Sequence, residues 1–217
     1  MTREPDSLSD AEVQGFFDRA NRLGGVAAAR ELYGDWAGLY DGTIERFGRY
    51  LSPDRIAAMV AERCQDRSVA ILDVACGTGL VGQALARQGF VQLTGLDLSE
   101  PMLAEARRKG CYAALVAGDV AALPDLPRFA MVVCVGALTL CHMGAAEFEA
   151  MAGLVAPGGC LVVDVEGGTF QAQGFDALLA RLVAEGVFGG VERAEGHFYQ
   201  PGPDEPAHGW FVTAWRD

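Results

Sequence analysis

Lysine occurs once in this 217-residue chain, at Lys109, and 17 cationic residues face 29 acidic ones, for a formal charge of −12. So acidic a surface repels a phosphate backbone, which argues against a nucleic-acid partner. Charge of either sign also keeps a protein soluble, so acidity alone names no function. Cysteine is present six times but never as a C-x-x-C pair: Cys64, Cys76, Cys111, Cys134, Cys141 and Cys160 stand singly. That spacing supports neither a metal site nor a disulfide framework, and fits reduced thiols in a cytoplasmic protein. A run of roughly eighteen uncharged apolar residues, enough to span a bilayer, does not occur, so no membrane segment is expected. Met1 to Asp10 are polar and acidic rather than basic and then apolar, so no secretory leader is expected either. Internal repeats and long linkers are lacking.

What is present is apolar and evenly spread. Hydrophobic residues make up 51% of the chain, and its 28 glycines fall between apolar runs rather than in a low-complexity tract. A chain of this length buries a substantial core as one domain without staples. The first sixty-odd residues read as helices. Ser9 and Glu12 have capping-box spacing ahead of Val13, Phe16 and Phe17. Gly24-Gly25 interrupts, a second helix covers Ala27 to Leu32, and the aromatic segment Tyr33-Gly34-Asp35-Trp36 to Tyr40-Asp41 follows. Ser52-Pro53 then predicts a helix to about Gln65, with the serine hydroxyl as cap. From Ser68 the pattern alternates. Strands are expected over 69–74, 91–96, 112–117, 129–135 and 160–165; a Gly-rich loop and then a helix to about 88 follow the first, and helices over 101–109 and 145–155 follow later. Such alternation means a parallel sheet with helices on both faces. The end departs from it: after a helix over 175–185, strands over 191–199 and 210–215 join without a crossover, as an antiparallel hairpin. These boundaries divide the chain into a helical cover, 1–67, and a core, 68–217, within one structural domain.

The first strand runs into Asp73-Val74-Ala75-Cys76-Gly77-Thr78-Gly79. Gly77 to Gly82 match G-x-G-x-x-G, and Asp97 lies twenty residues past Gly77 at the end of the second strand. Taken alone this is equally a dinucleotide site. Asp73 argues otherwise, since a carboxylate beside the loop would repel a pyrophosphate but suits an ammonium. Gly118-Asp119 ends the third strand, where a carboxylate can accept from an adenine amino group. Some seventy residues precede the loop, and no tyrosine stands four residues before Lys109, which removes the short-chain dehydrogenase mechanism.

With Ile71 to Gly79, Leu96-Asp97-Leu98-Ser99, Gly118-Asp119-Val120 and Leu154-Val155-Ala156-Pro157-Gly158-Gly159 in this order, the chain resembles the class I S-adenosylmethionine-dependent methyltransferases. Tyr33 to Asp41 and Cys134 to Thr139 look, more narrowly, like the methyltransferase-like subgroup named for the Williams–Beuren region. The resemblance implies a doubly wound, Rossmann-like α/β fold of seven strands in the order 3-2-1-4-5-7-6, and S-adenosylmethionine as cofactor. It carries cofactor contacts onto Asp73, Ala75, Cys76, Gly77, Thr78, Gly79, Asp97 (ribose hydroxyls) and Asp119 (adenine amine). Leu98, Met102 and Val120 are expected around the adenine ring, and Cys134 and Val135 beside the methionine portion. Two positions depart from the family pattern: Ala75 stands for the first glycine of the loop, and Ala130 for an aspartate at the start of strand four.

Tyr33, Trp36 and Tyr40 read as a lid whose aromatic faces attract a sulfonium; the competing role is packing the N-terminal helices onto the sheet. Methyl transfer is an in-line displacement that needs chiefly alignment, plus a base when the acceptor must lose a proton. Thr139, His142 and Glu166 are the candidate polar groups near the transferring methyl. His197, His208 and Tyr199 lie on the hairpin and read as edge-strand residues. The expected activity is methylation of a small molecule. The alternatives are a non-catalytic S-adenosylmethionine-binding regulator and, behind it, an NAD-binding oxidoreductase. The acceptor, the atom methylated and the oligomeric state are left open by the sequence.

Overall fold

The computed structural model of the protein describes residues 9–122 and 126–217. Most of the acidic leader, residues 1–8, lies outside them.

Helix α1 (Asp10–Ala20) begins at the expected capping box: Ser9 and Glu12 satisfy one another's backbone amides. Helix α2 (Val26–Trp36) runs one turn beyond its expected end, so Tyr33 and Trp36 are helical. A 3-10 turn over Ala37–Leu39 leads directly into α3 (Tyr40–Phe47). Helix α4 (Ser52–Arg63) corrects one expectation. Its cap is Leu51, with no side-chain cap bond, and Ser52 is the first helical residue, its hydroxyl buried without a hydrogen-bond partner.

Seven strands follow: β1 (Ala70–Val74), β2 (Gln92–Asp97), β3 (Ala114–Ala117), β4 (Phe129–Leu138), β5 (Val155–Glu166), β6 (Gly190–Gly196) and β7 (Gly209–Trp215). They form one sheet in the order β3-β2-β1-β4-β5-β7-β6, as expected. The first five are parallel, and β7 enters antiparallel between β5 and β6. Strand β5 begins earlier than its sequence suggests. Between the pairs Phe129–Val155 and Met131–Cys160 the register shifts, absorbing Pro157-Gly158 as a bulge. The backbone of Arg216 holds that bulge through Gly158 N–H and Gly159 C=O.

Between the strands lie α5 (Leu80–Arg87), α6 (Glu100–Lys109), α7 (Ala145–Gly153), α8 (Gly167–Ala172) and α9 (Phe175–Ala184). The short α8 was not expected. On one face, Ile56 and Val60 of α4 and Leu85 of α5 pack with Ile71, Val133, Val162 and Phe211. On the other, Phe148 of α7, Phe170 of α8 and Leu179 of α9 pack with Leu72, Val132 and Val163. Covered on both sides, β4 is a continuous apolar run, as a central parallel strand requires, and β1 is apolar but for the buried Asp73. Helix α4 is thereby part of the core layer, whereas the two core clusters of the described residues take in no residue of α1 to α3. No helix of the described residues is long and apolar enough to cross a membrane.

Candidate active site

Open parallel sheets bind ligands outside the carboxyl ends of their strands, where the strand order reverses. Here the reversal falls between β1 and β4, and a cavity of about 150 Å³ opens there. The loop after β1 forms its floor. Cys76 N–H donates to Leu96 C=O (3.0 Å), Gly79 N–H donates to Cys76 C=O (2.8 Å), and Gly77 N–H donates to Asp97 Oδ2 (2.8 Å). The other oxygen of Asp97 accepts Ser99 N–H at 2.8 Å. Asp97 is thus clamped by two backbone amides with lone pairs left over. Burial raises its pKa, and those amide bonds oppose the rise.

The loop is left-handed at three residues: Ala75 (φ 54°), Gly77 (φ 52°) and Gly79 (φ 91°). The missing first glycine is therefore a strained alanine rather than a neutral exchange. Gly82 has a different reason. A Cβ there would fall 2.3 Å from Tyr112, whose ring lies against the start of α5. The Tyr112 hydroxyl accepts Gly82 N–H (3.1 Å) and donates to Asp73 Oδ2 (2.5 Å).

Eleven of the residues nominated from sequence line the cavity: Tyr33, Tyr40, Ala75, Gly77, Asp97, Leu98, Met102, Asp119, Val120, Val135 and His142. The rest stand behind it. Asp73 is 1% exposed, beneath the loop, with Oδ1 unpartnered; burial raises its pKa to about 7, against the Tyr112 hydrogen bond. Cys76 and Cys134 are buried, and burial raises both thiols. Thr78 turns its hydroxyl toward Asp41, and Gly79 caps α5.

Trp36 does not reach the cavity. It is 1% exposed, stacked between Phe16 (4.7 Å) and Tyr33 (5.9 Å), edge-on to Tyr40 (5.1 Å), with Nε1 donating to Thr43 (3.1 Å). It therefore props the two tyrosines that do form the wall. Glu166 is also elsewhere: it caps α8, accepting from Gly168 N–H, Thr169 N–H and the Thr169 hydroxyl. Thr139 stands one step behind His142, its Oγ1 2.6 Å from His142 Nδ1, while Nε2 is 2.7 Å from the Tyr33 hydroxyl. Burial lowers the His142 pKa and raises that of Tyr33, which keeps both neutral. His208 serves the hairpin, accepting Phe198 N–H and pairing with Glu205.

The sequence reading missed the roof, where Ala29 and Arg30, one turn before Tyr33, and Val26, two turns before it, line the cavity. Their i, i+3, i+4, i+7 spacing was legible, but nothing local says which way that face turns. It also missed Gly136 at the bend of β4. Gly136 lines the cavity with φ 72°, its N–H donates to Asp164 Oδ1 (2.7 Å), and the Tyr50 hydroxyl lies where a Cβ would be.

Residues 71–159 match the family described as methyltransferase domain. The chain is 33% identical over 189 residues to dTDP-3-amino-3,6-dideoxy-alpha-D-glucopyranose N,N-dimethyltransferase of Streptomyces fradiae, covering 79% of this chain and 72% of that protein. It belongs to the class I S-adenosylmethionine-dependent methyltransferases. Human methyltransferase-like protein 27 is another relative of this methyltransferase, 32% identical over 191 residues, 83% of this chain and 76% of the relative. Among solved structures, an S-adenosylmethionine-bound amino pentose methyltransferase from Micromonospora echinaspora superposes with a TM-score of 0.60 at 20% identity, over 81% of this chain and 96% of that one. A glycopeptide N-methyltransferase with S-adenosylhomocysteine superposes at 0.58 and 17% identity, over 78% and 92%. These two likenesses speak for the fold.

Proposed function

We propose that this methyltransferase acts in the cytoplasm on a small molecule that bears a proton-carrying nucleophile, with His142 taking up the proton. The observation that carries the reading is the Tyr33–His142–Thr139 chain, which opens into the same cavity as the cofactor loop. The cavity's chemistry suits the cofactor along its length. Two carboxylates, Asp97 and Asp119, flank the apolar Leu98, Met102 and Val120, as a ribose and an adenine require. Ala75, Gly77, Val135 and Gly136 form the end that would hold the methionine portion. When bound, S-adenosylmethionine supplies a methyl group activated on a sulfonium.

The chain's own residues then align and deprotonate. A neutral imidazole has one lone pair and one N–H, and its two partners accommodate both: the Tyr33 hydroxyl donates to Nε2, and Nδ1–H donates to Thr139. An acceptor proton passed to the Tyr33 oxygen as that hydroxyl gives its own proton to Nε2 leaves the charge on His142. Tyr40 and Tyr33 line the cavity, and aromatic rings there would favour a cationic methyl donor over its neutral product. The relatives named for sugar and glycopeptide N-methylation support a small acceptor, and the absence of a basic stripe in a chain of charge −12 speaks against nucleic acid. We read α1 to α3 as the cover that closes this site within the one domain.

The test is turnover. Incubation with S-adenosylmethionine and a metabolite extract should release S-adenosylhomocysteine, and His142→Gln should lower that release while leaving S-adenosylhomocysteine affinity unchanged by calorimetry. Equal turnover by the variant would remove His142 from the reaction.

A further inference from the structure

Lys109, the only lysine of the chain, is the last residue of α6, and its side chain is only 14% exposed. Its Nζ lies 2.6 Å from Asp41 Oδ2 and 3.3 Å from Thr78 Oγ1. The Thr78 hydroxyl, 2% exposed, donates to the other oxygen of Asp41 at 2.5 Å. Three elements meet in this triangle: the cover through α3, the cofactor loop, and the end of α6. We propose that Asp41 and Lys109 are positioning residues that clasp the cover to the cofactor loop through Thr78, and that the clasp sets how long the cofactor stays bound. The proposal rests on the cavity being the cofactor site.

The geometry gives the clasp leverage at both ends. On the cover, Asp41 directly follows Tyr40, which lines the cavity. On the loop, Thr78 lies between Gly77, whose N–H is bound to Asp97, and Gly79, whose N–H is bound to the Cys76 carbonyl. Loop and cover therefore shift together. The surrounding chemistry favours the arrangement, because a cation at a helix C-terminus is stabilised by the helix dipole. It also differs from the chain's outer ion pairs. Arg87 and Asp54 are 61% and 63% exposed, against 14% and 42% for Lys109 and Asp41, and neither lines the cavity. Exposed pairs of that kind contribute little, whereas a shielded charge with two partners holds its geometry.

With the clasp open, the cover has fewer bonds to the loop, and a bound cofactor leaves sooner. The measurement is S-adenosylhomocysteine dissociation from the full chain by stopped-flow displacement, with hydrogen exchange of residues 33–44 in the same complex. Lys109→Met should speed dissociation about tenfold, the loss expected for one shielded charged hydrogen bond. Exchange in the cover should rise with it. Lys109→Arg, which keeps charge and donors, should restore both to within about twofold of the unaltered chain. Asp41→Asn combined with Lys109→Met should be no faster than either alone, since one triangle is broken in each case. Arg87→Met is the control and should change nothing. Unaltered dissociation in Lys109→Met and Asp41→Asn would overturn the clasp; if Lys109→Met does not fold, Asp41→Asn decides by itself. An unaltered chain that binds no S-adenosylhomocysteine would instead overturn the reading of the cavity.

Discussion

On the function proposed for it, the cavity has a cofactor half and an acceptor half, and the two are built in opposite ways. The cofactor half is assembled from the ends of β1, β2 and β3, and its defining bonds join neighbouring turns of one repeating β–α pattern: Asp97 to Gly77 and Ser99, Asp119 to Ala121. The acceptor half is assembled from distant segments. Tyr33 meets His142 across 109 residues, Cys141 reaches the Asn21 carbonyl across 120, and Tyr50 pairs with Tyr199. Local specification lets the first half persist as motifs in chains that share little else. In the second half any one segment can change if its partners change too, which is how one frame serves many acceptors.

Asp97→Ala puts the largest strain on this contrast. Both amides that hold the loop lose their acceptor, and so would the ribose. S-adenosylhomocysteine affinity should fall about a thousandfold by calorimetry, the sum of two or three lost charged hydrogen bonds. A loss below tenfold would mean that the cofactor half is not organised around this carboxylate. His142→Gln tests the other half and should do the reverse: affinity for S-adenosylhomocysteine unchanged, and kcat down about a hundredfold, the usual worth of a general base. The pH profile sharpens the point. Burial holds the His142 pKa below 6.5, so the imidazole is neutral and able to accept at and above neutral pH. Activity should fall only as acid protonates it, on a limb lying below the ordinary histidine range, and that limb should vanish in the variant.

The same contrast explains what the sequence revealed. The run of strands and helices, the helical N-terminus and the cavity floor were legible, because glycine, aspartate and apolar periodicity act within a few residues of one another; the strand order came only with the resemblance to the family. Asp73 was legible as a feature but not in its setting. Nothing in Asp-Val-Ala-Cys-Gly says that the hydroxyl of Tyr112, next to the edge strand, would donate to that carboxylate. Trp36 and Glu166 misled for a related reason. An aromatic ahead of the core and a carboxylate at a strand end are chemically fit for a site, yet packing turned one into the hub of the cover and the other into a helix cap. Arg30 and Gly136 were passed over because helical facing and a strand bend are settled by tertiary contacts.

Asp164, which holds the bend of β4 at Gly136, offers an effect of intermediate size. It is 1% exposed, with Oδ1 on Gly136 N–H and Oδ2 unpartnered beside the Ser52 hydroxyl. Burial raises its pKa to about 6, against the opposing hydrogen bonds. A folded-state pKa above the unfolded 3.8 means that the fold favours the protonated form. The contribution of Asp164 to stability is then highest in acid and is lost as pH rises through about 6. Asp164→Asn keeps the bond to Gly136 and can never ionise. It should be more stable than the unaltered chain by on the order of 2 kcal/mol at pH 8, with the gap closing toward about pH 4, in urea titrations at both values. A gap that is absent at pH 8 would mean that the carboxylate has a cationic partner in solution.

The smallest effect belongs to the cofactor half. Ala75 occupies the left-handed position that the family pattern gives to glycine, and it lines the cavity. For an L-residue that conformation costs about 1 kcal/mol, because Cβ crowds the following carbonyl. Glycine removes the crowding but loosens the unfolded chain by a few tenths of a kcal/mol. The relief should win: Ala75→Gly is expected to raise Tm by about 2 °C, given the slope for a domain of this size. Affinity for S-adenosylhomocysteine should change by less than about threefold, since the amides that hold Asp97 are untouched. If Tm falls instead, the alanine methyl contributes more by packing against the loop's neighbours than its backbone loses. The cofactor half would then be less a matter of local backbone geometry than its motif suggests, and closer in kind to the half it faces.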